Sequence, residues 1–286
     1  MKKRLFCILS VLLLSACSYQ QETDIPVSAN SIPYLFLNED LYTEYDMRTI
    51  IPIYLNNQDV FIDEPGTYLI SGILEDGQIT ISAPADTTIR LVLNNVTLAS
   101  STKPAIEVVD QSKVQISTSS DSLNTITSNN EAISSHGTLV LNGQGTLVIT
   151  SQYDGIHADQ EIIITGGNYQ IDSQKNAISA LETIAVLTGS FDINASQDAL
   201  HCGSEESPGY IYLQDGSYDI HSQQDGLHCE GTIMIESAQM NIDAQDQSIY
   251  SQSNLELTRA QSFFAFLLNV KRRQRVFLHF IFDVCL

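Results

Sequence analysis

The chain has 286 residues, of which 43% are hydrophobic, so it can bury a core of domain size and is not a disordered protein. Its 34 Asp and Glu against 13 Lys and Arg give a formal net charge of −21. That charge argues against nucleic-acid binding through a basic surface, because it repels phosphate backbones. Between residues 17 and 258 only five residues are basic and 33 are acidic, so we expect this part of the chain to favour cations as partners.

The chain starts with a targeting segment, residues 1–16. Three basic residues precede an apolar run from Leu5 to Leu14, which is too short to span a bilayer comfortably and has the form of a signal peptide. The run ends in Leu14-Ser15-Ala16-Cys17, which resembles the lipobox of bacterial lipoproteins, where the Cys is acylated and becomes the first mature residue. We therefore predict export, lipidation at Cys17 and an outward-facing anchor in the bacterial cell membrane. The alternative is an ordinary secretory signal with an incidental Cys.

The middle of the chain repeats with a period of about 22 residues. Equivalent positions of successive repeats are Asp154, Asn176, Asp198, Asp225 and Gln247. All steps between them are 22 residues except the one from Asp198 to Asp225, which is 27 residues. An insertion of five residues near 204–208 explains that longer step.

Each repeat contains three short stretches that alternate apolar and polar residues, as a strand with one buried face does. Like residues recur at equivalent positions, for example Ile156, Ile178, Leu200, Leu227 and Ile249. A chain that winds through three strands per turn places equivalent side chains above one another, about 4.8 Å apart. The repeat therefore predicts an all-β parallel β-helix. A propeller needs repeats of about 40 to 50 residues, and no 3.6-residue periodicity favours helices.

The pattern also predicts the organisation of the chain. We expect a tether and N-terminal segment over residues 17–47 and one β-helix over 48–258, whose first coils are less regular than the rest. No linker rich in Pro, Gly or Ser divides residues 60–258, so separate domains are not expected. Residues 259–286 lack the repeat.

Several motifs point to a family. They are the run Gly66-Thr67-Tyr68-Leu69-Ile70-Ser71-Gly72, the strand Leu91-Val92-Leu93-Asn94-Asn95-Val96, Pro104-Ala105-Ile106 and the repeated Asp-Gly-Ile-His and Thr-Gly-Gly motifs. In this order they resemble the bacterial carbohydrate-binding β-helix proteins described as cellulose- and acidic-sugar-binding adhesins, over roughly residues 50–258. The resemblance implies a right-handed β-helix, calcium sites like those of pectate-lyase-type β-helices, and non-catalytic binding of polysaccharides such as polygalacturonate. Asn176 and Gln247 depart from the Asp of the repeat.

The column of turn residues Asp154, Asn176, Asp198 and Asp225 is the predicted metal site. Stacked carboxylates of the last two would lie only about 5 Å apart and repel each other. A hard cation with oxygen ligands would remove that repulsion, and calcium tolerates irregular sets of carboxylates, amides and carbonyls. Alternatively, Asp before Gly only suits a turn. Together with the resemblance, the column predicts calcium as cofactor.

The predicted carbohydrate-binding residues lie on outward-facing positions. His157, His201 and His228 form one column, interrupted by Ser179, and could hydrogen-bond sugar hydroxyls. Tyr212 is predicted to face outward on the second strand and to stack on a sugar. The alternative for the His column is a solvated strand face. The predicted partner is a polysaccharide, either polygalacturonate or cellulose.

An enzyme is the rival function, because parallel β-helices also include pectate lyases. A lyase needs a basic side chain to abstract a proton and to neutralise the uronate carboxylate. Between residues 50 and 258 only Arg90, Lys103, Lys113 and Lys175 are basic, and only Lys175 lies beside the predicted calcium column. We therefore expect a binding protein, with a calcium-dependent lyase and a purely structural surface protein as alternatives.

The last 28 residues, 259–286, differ in composition from the rest. They contain six of the ten Phe and five of the 13 basic residues but a single acidic residue, Asp283. A basic amphipathic membrane-binding tail is one interpretation. We favour another, that the tail resembles translation in a shifted reading frame, and we expect it to lack β-helix structure.

Overall fold

The computed structural model describes residues 35–84 and 87–258, and these form a parallel β-helix as predicted. It has about nine coils of roughly 23 residues and almost no helix apart from a 3₁₀ turn at Asn38–Leu41. Three strands of each regular coil pair in parallel with the equivalent strands of the coils before and after.

The first strand of each coil is short, and together these strands form a sheet of nine. In spatial order its members are β2 (Val60–Ile62), β4 (Ile79–Ile81), β6 (Ile106–Val108), β9 (Ile133–Ser135), β12 (Ile156–Ala158), β15 (Ile178–Ala180), β18 (Leu200–Cys202), β21 (Leu227–Cys229) and β24 (Ile249–Ser251). We call it the short-strand sheet.

The second and third strands belong to one larger sheet with two arms. The second arm contains β7 (Lys113–Thr118), β10 (Leu139–Gly143), β13 (Glu161–Ile164), β16 (Thr183–Val186), β19 (Tyr210–Leu213), β22 (Thr232–Ile235) and β25 (Asn254–Leu257). The third arm contains β8 (Leu123–Ser128), β11 (Thr146–Ser151), β14 (Asn168–Ser173), β17 (Ser190–Ala195), β20 (Ser217–Ser222) and β23 (Gln239–Ala244).

Three further strands belong to this sheet at the N-terminal end, where the sequence is least regular. They are β1 (Ile51–Asn56), β3 (Gly66–Leu74) and β5 (Thr88–Ser100), and two of them, β3 and β5, are longer than the strands of the arms. The first half of β5 pairs with β7 and its second half with β8, so one bent strand serves both arms. The bend contains Asn95 at φ 56°, a left-handed conformation that Asn tolerates better than most residues.

The strand registers confirm the predicted columns. Ile156 pairs with Ile178, Ile178 with Leu200, and Leu200 with Leu227, and the chain between Cys202 and Tyr210 holds the predicted insertion. These apolar residues are buried in one continuous core. On the third arm, Tyr169, Phe191 and Tyr218 are also buried, with stacked rings whose centroids lie 5.1 and 4.6 Å apart.

The segment of residues 35–46 covers the outer face of the second arm. Backbone carbonyls of Asp40, Tyr42 and Glu44 accept hydrogen bonds from side chains on successive strands. Those donors are Asn142 and Thr165 to Asp40, Asn142 and Gln115 to Tyr42, and Arg90 to Glu44. This segment, the N-terminal strap, therefore crosses the coils and removes this face from solvent.

The strap corrects one prediction, that Tyr212 offers an exposed sugar-stacking ring. Tyr212 does point away from the core, but only 1% of it is exposed. Phe36 packs against its ring, and its hydroxyl donates to Glu236 Oε1 at 2.9 Å. The alternation of residues along a strand predicts which way the Tyr212 side chain points. Its burial depends on the strap, which is distant in sequence.

Some predictions concern residues outside the described ranges. These are the signal peptide 1–16, lipidation at Cys17, the tether that follows it, and the tail 259–286. Within residues 35–84 and 87–258, no helix is long and apolar enough to cross a membrane.

Candidate functional site

The outer face of the third arm is polar and open over four coils. Strands β14, β17 and β20 bury alternate side chains and expose the others, and β23 alternates exposed with partly buried side chains. The exposed residues, in register from strand to strand, are Asn168, Gln170 and Asp172; Ser190, Asp192 and Asn194; Ser217, Asp219 and His221; and Gln239, Asn241 and Asp243. We call this array the polar face. It presents hydroxyl, amide, carboxylate and imidazole groups at the regular spacing of parallel strands.

A groove with a volume of about 350 Å³ runs along one edge of the polar face. It lies where the third strand of each coil ends and turns towards the short-strand sheet. Side chains from four coils line it, among them Asp172, Asn194, His221 and Asp243 on the strands and Gln174, Ser196, Gln223 and Gln245 in the turns. Nearly all of these side chains can donate or accept hydrogen bonds. The groove was not predicted from the sequence, although the polar residues that alternate with the buried columns of the third strand were a signal for it.

An exposed aromatic residue lies in the turn that precedes the next coil. Tyr153 is 42% exposed, and the Lys175 ammonium lies 4.3 Å from the centroid of its ring. Lys175 directly follows the groove residue Gln174 in sequence. A ring and a cation beside a polar groove are suited to a sugar face and to a carboxylate, respectively.

The predicted metal residues form one column, as the repeat indicated, but the column is a hydrogen-bond ladder. Oδ1 of each residue accepts the backbone N–H of its equivalent one coil later, at 3.0 Å from Asp154 to Asn176, 3.1 Å from Asn176 to Asp198 and 2.8 Å from Asp198 to Asp225. Asp225 accepts in the same way from Gln247 at 2.9 Å. The side-chain amide of Asn176 can replace a carboxylate at this position, because its Oδ1 also accepts a backbone N–H.

The second carboxylate oxygens in the column also have protein partners. Oδ2 of Asp154 accepts from the Ser179 hydroxyl at 2.5 Å, and Oδ2 of Asp198 lies 2.9 Å from His201 Nδ1. Backbone and side-chain donors therefore relieve the repulsion that the sequence analysis assigned to a cation. This donor set does not fit calcium shared by the four residues, because calcium takes six to eight oxygen ligands.

The His column is also present and packs closely. The rings of His201 and His228 stack with centroids 4.8 Å apart, and Tyr250 continues the stack at 4.5 Å from His228. His157 lies two coils away, beyond Ser179, and its Nδ1 contacts the Ser179 hydroxyl at 2.7 Å. These imidazoles are partly exposed, but their Nδ1 atoms contact residues of the turn column or Ser179. They are therefore less available to a sugar than imidazoles on a fully solvated strand face.

His228 lies between carboxylates on both sides of its ring. Nδ1 is 2.8 Å from Asp225 Oδ2 and Nε2 is 3.2 Å from Glu230 Oε1. Burial disfavours the charged imidazolium, but hydrogen bonds to Asp225 and Glu230 and the nearby charge of Asp198 outweigh it. They raise the pKa of His228 to about 9, so this ring is an imidazolium at neutral pH when no other cation is present.

The basic residues that a lyase would need are largely engaged elsewhere. The strap covers Arg90, which donates to the Glu44 carbonyl at 2.7 Å. Lys113 is paired with Asp40 at 2.6 Å and Glu39 at 2.9 Å. Of the four candidates, this leaves Lys103 and Lys175 exposed on the coils, and Lys175 is the one that adjoins the groove.

Comparison with known proteins agrees with the fold. A solved structure, the polysaccharide lyase-like protein from C. thermocellum in its gadolinium derivative, has a TM-score of 0.69 to this chain at 21% identity, covering 74% of this chain and 97% of that one. At this identity the likeness shows the fold alone.

Two further findings concern sequence. A carbohydrate-binding domain-containing protein from Acetivibrio thermocellus is 26% identical over 131 residues, which are 41% of this chain. They cover 46% of that relative, so the chain matches less than half of its length. The family model described as carbohydrate-binding domain-containing protein matches residues 56–263, which include most of the β-helix, the polar face and the groove. The chain therefore belongs to the carbohydrate-binding domain-containing protein family.

Proposed function

We propose that this protein binds a polysaccharide along the groove and the adjoining polar face without cleaving it. The main support for this proposal is that hydrogen-bonding side chains from four successive coils line one continuous open groove. An extended glycan presents hydroxyl groups at regular intervals, and stacked coils present amides and carboxylates at regular intervals as well. The strap covers the outer face of the second arm. Of the two arms of the large sheet, the third arm, with its polar face, is therefore the one whose outer face is open to a ligand.

The proposed ligand is an acidic or cellulosic plant-type polysaccharide, with polygalacturonate as the first candidate. Lys175 beside Tyr153 would pair with a uronate carboxylate, while Asp172 and Asp243 in the groove would repel it. Calcium enters the proposal here, as an ion that bridges groove carboxylates and uronate carboxylates, since it prefers oxygen ligands. A neutral glucan would need no such bridge.

Binding is favoured over catalysis by the set of available bases. Lyase chemistry needs a base to remove a proton and cations to neutralise the uronate. Beside the groove the described residues provide Lys175 for one of these tasks, while Arg90 and Lys113 are held under the strap. Hydrolysis would instead need two carboxyl groups at opposed positions about one bond, whereas the carboxylates here follow the helix axis.

Affinity electrophoresis in gels containing polygalacturonate or a soluble cellulose derivative tests the proposal. We expect retardation without release of unsaturated uronates, which absorb in the ultraviolet, and loss of polygalacturonate binding in EDTA. Accumulating absorbance would support the lyase instead. Equal mobility in all gels would indicate a structural surface protein.

A pair of double variants locates the site. Asn194→Ala with Gln223→Ala removes two groove side chains, and we expect at least about fivefold weaker binding, since each hydrogen bond contributes about 0.5 to 1.5 kcal/mol. The matched control is Gln58→Ala with Thr102→Ala, which changes exposed polar residues of the first coils outside the groove. Equal losses in both would contradict binding at the groove.

Export and lipid anchoring also belong to the proposal and are supported by residues 1–17 of the sequence. A surface anchor would place the groove where extracellular polysaccharide is found. Mass spectrometry of the mature protein tests this: we expect an N-terminal diacylated Cys17. An unmodified Ser18 start or an uncleaved Met1 would contradict it.

A further inference from the structure

One cluster of side chains is used neither by the groove nor by the core. Asp198, His201 and His228 each place one ligand-type atom at the corner between the turn column and the short-strand sheet, and these atoms lie within 4.8 Å of one another. Asp198 is buried and the two imidazoles are partly exposed. We infer that this cluster is a binding site for a divalent transition-metal ion of the zinc class.

The distances match such an ion. Asp198 Oδ2 is 2.9 Å from His201 Nδ1 and 3.8 Å from His228 Nδ1. Ligand atoms about 2.0 to 2.1 Å from a tetrahedral zinc lie roughly 3.3 Å from one another, between the two observed values. All three atoms lie within 4.8 Å of one another, so binding an ion requires the two stacked imidazoles to turn towards each other. The fourth coordination position is within reach of Asp225 Oδ2, which is 2.8 Å from His228 Nδ1, or of water.

The coil register holds the ligands in place. His201 and His228 are direct partners on β18 and β21, and their rings are stacked within 16° of parallel, which brings both Nδ1 atoms to the same side. The Asp198 carboxylate is fixed by the Asp225 N–H, which donates to its Oδ1 at 2.8 Å. This leaves Oδ2 directed at the imidazoles.

The surroundings also resemble those of metal-bound imidazoles. The nitrogen of His228 that does not face the cluster, Nε2, lies 3.2 Å from Glu230 Oε1. A ligating His commonly donates its other N–H to a carboxylate, which fixes the ring and strengthens its donor nitrogen. Two coils earlier the equivalent residues are Asp154, His157 and Ser179, so a hydroxyl stands where the second imidazole would be. Among the described coils, two His are adjacent in this column at the step from His201 to His228.

The donor set distinguishes this site from the calcium predicted for the turn column. Two imidazole nitrogens and a carboxylate oxygen suit zinc, copper, nickel or cobalt, whereas calcium prefers oxygen ligands alone. The strongly negative chain adds general attraction for any cation, but only a nitrogen-preferring ion gains from both His rings. Calcium is therefore expected to be a poor competitor.

Isothermal titration of the full chain, made without a polyhistidine tag and freed of metal with EDTA, tests the site with zinc chloride. We expect one tight equivalent, and at least about tenfold weaker binding for His228→Gln and for His201→Gln, the size of loss known even for residues that only support a ligand. His136→Gln removes an exposed imidazole outside both the cluster and the groove and should bind zinc like the parent. Excess calcium should not displace the zinc.

Copper(II) bound to the unaltered protein gives a second measurement that does not depend on the variants folding. Its electron paramagnetic resonance spectrum should show hyperfine coupling to two imidazole nitrogens, and to one in His228→Gln. Zinc affinity unchanged in both His variants, displacement of zinc by equimolar calcium, or a copper spectrum without nitrogen coupling would each overturn the inference.

Discussion

The ring of Phe36 lies 6.0 Å from the ring of Tyr212, at 39°, although one belongs to the N-terminal strap and the other to the fifth strand of the second arm. This contact closes off the outer face of the second arm and leaves 1% of Tyr212 exposed. The strap is therefore part of the folded body and limits the sheet surfaces that a glycan can reach.

The strap should contribute measurably to stability through Lys113 and Asp40. Asp40 is 1% exposed and its carboxylate lies 2.6 Å from the Lys113 ammonium. Lys113→Met would leave this carboxylate buried without its cation, and we expect a loss of about 3 kcal/mol in the free energy of unfolding. Urea denaturation followed by circular dichroism measures it.

Two further variants test whether the loss comes from the buried charge. The double variant Lys113→Met with Asp40→Asn should be more stable than Lys113→Met alone, because it no longer buries an unpaired carboxylate. Arg48→Met breaks the exposed pair with Asp46, whose side chains are 88% and 42% exposed, and should change stability by less than about 0.5 kcal/mol. If Lys113→Met and Arg48→Met lower the free energy of unfolding by similar amounts, the buried pair does not contribute as expected.

The turn column should depend on acceptor oxygens and not on charge. Asp198→Ala removes the acceptor of the Asp225 N–H and a partner of His201, which we expect to cost about 2 kcal/mol. Asp198→Asn retains Oδ1, as Asn176 does one coil earlier, and should lose less than half as much when metal is removed with EDTA. Denaturation midpoints compare the two. Equal losses would mean that the carboxylate charge dominates.

The aromatic column on the third arm should be a main source of core stability. Phe191 is 2% exposed and its ring stacks between Tyr169 and Tyr218. Phe191→Ala would leave a cavity between two buried rings, and we expect a loss of about 3 to 5 kcal/mol. Phe191→Tyr should be tolerated better, because both neighbours in the column are Tyr and direct their hydroxyls to turn carbonyls, of Gly166 and Asp215. Thermal melts of the two variants provide the test, and similar melting temperatures would contradict a role for packing.

The fold was predictable because each coil needs an apolar residue at the same positions to fill the core, and these residues recur along the sequence. The register of Ile156, Ile178 and Leu200 follows from their spacing alone, since stacked parallel strands place equivalent residues side by side. The turn column was predictable for the same reason. The hydrogen bonds within it were not, because the repeat does not show that Asn176 and Asp198 accept backbone N–H groups from the next coil.

The site was harder to predict because it depends on contacts without a repeat. Tyr212 has the parity of an outward residue, yet it is buried, with Phe36 of the strap packed against its ring. The groove is formed by residues such as Asn194 and Gln223. In the sequence each of them resembles an ordinary polar residue on an exposed strand face or turn. Its concave shape arises where strand and turn meet, a feature of the coil path and not of residue type.

The stability of the protein should decrease in mildly alkaline solution because of His228. Its pKa in the folded state is about 9, above the ordinary value of 6.5, so the folded protein holds a proton that the unfolded chain releases earlier. The resulting stabilisation is complete below pH 6.5 and is lost as the pH rises through 9; it amounts to on the order of 3 kcal/mol. The carboxylates that face the ring are those of Asp225, Glu230 and Asp198, and the rings of His201 and Tyr250 stack against it. Urea denaturation in EDTA across this range should show a falling free energy of unfolding for the parent and for His221→Gln, whose ring is exposed, and a flatter profile for His228→Gln. A slope unchanged in His228→Gln would show that other groups carry the proton, because this variant removes the imidazole whose pKa shift spans this pH range.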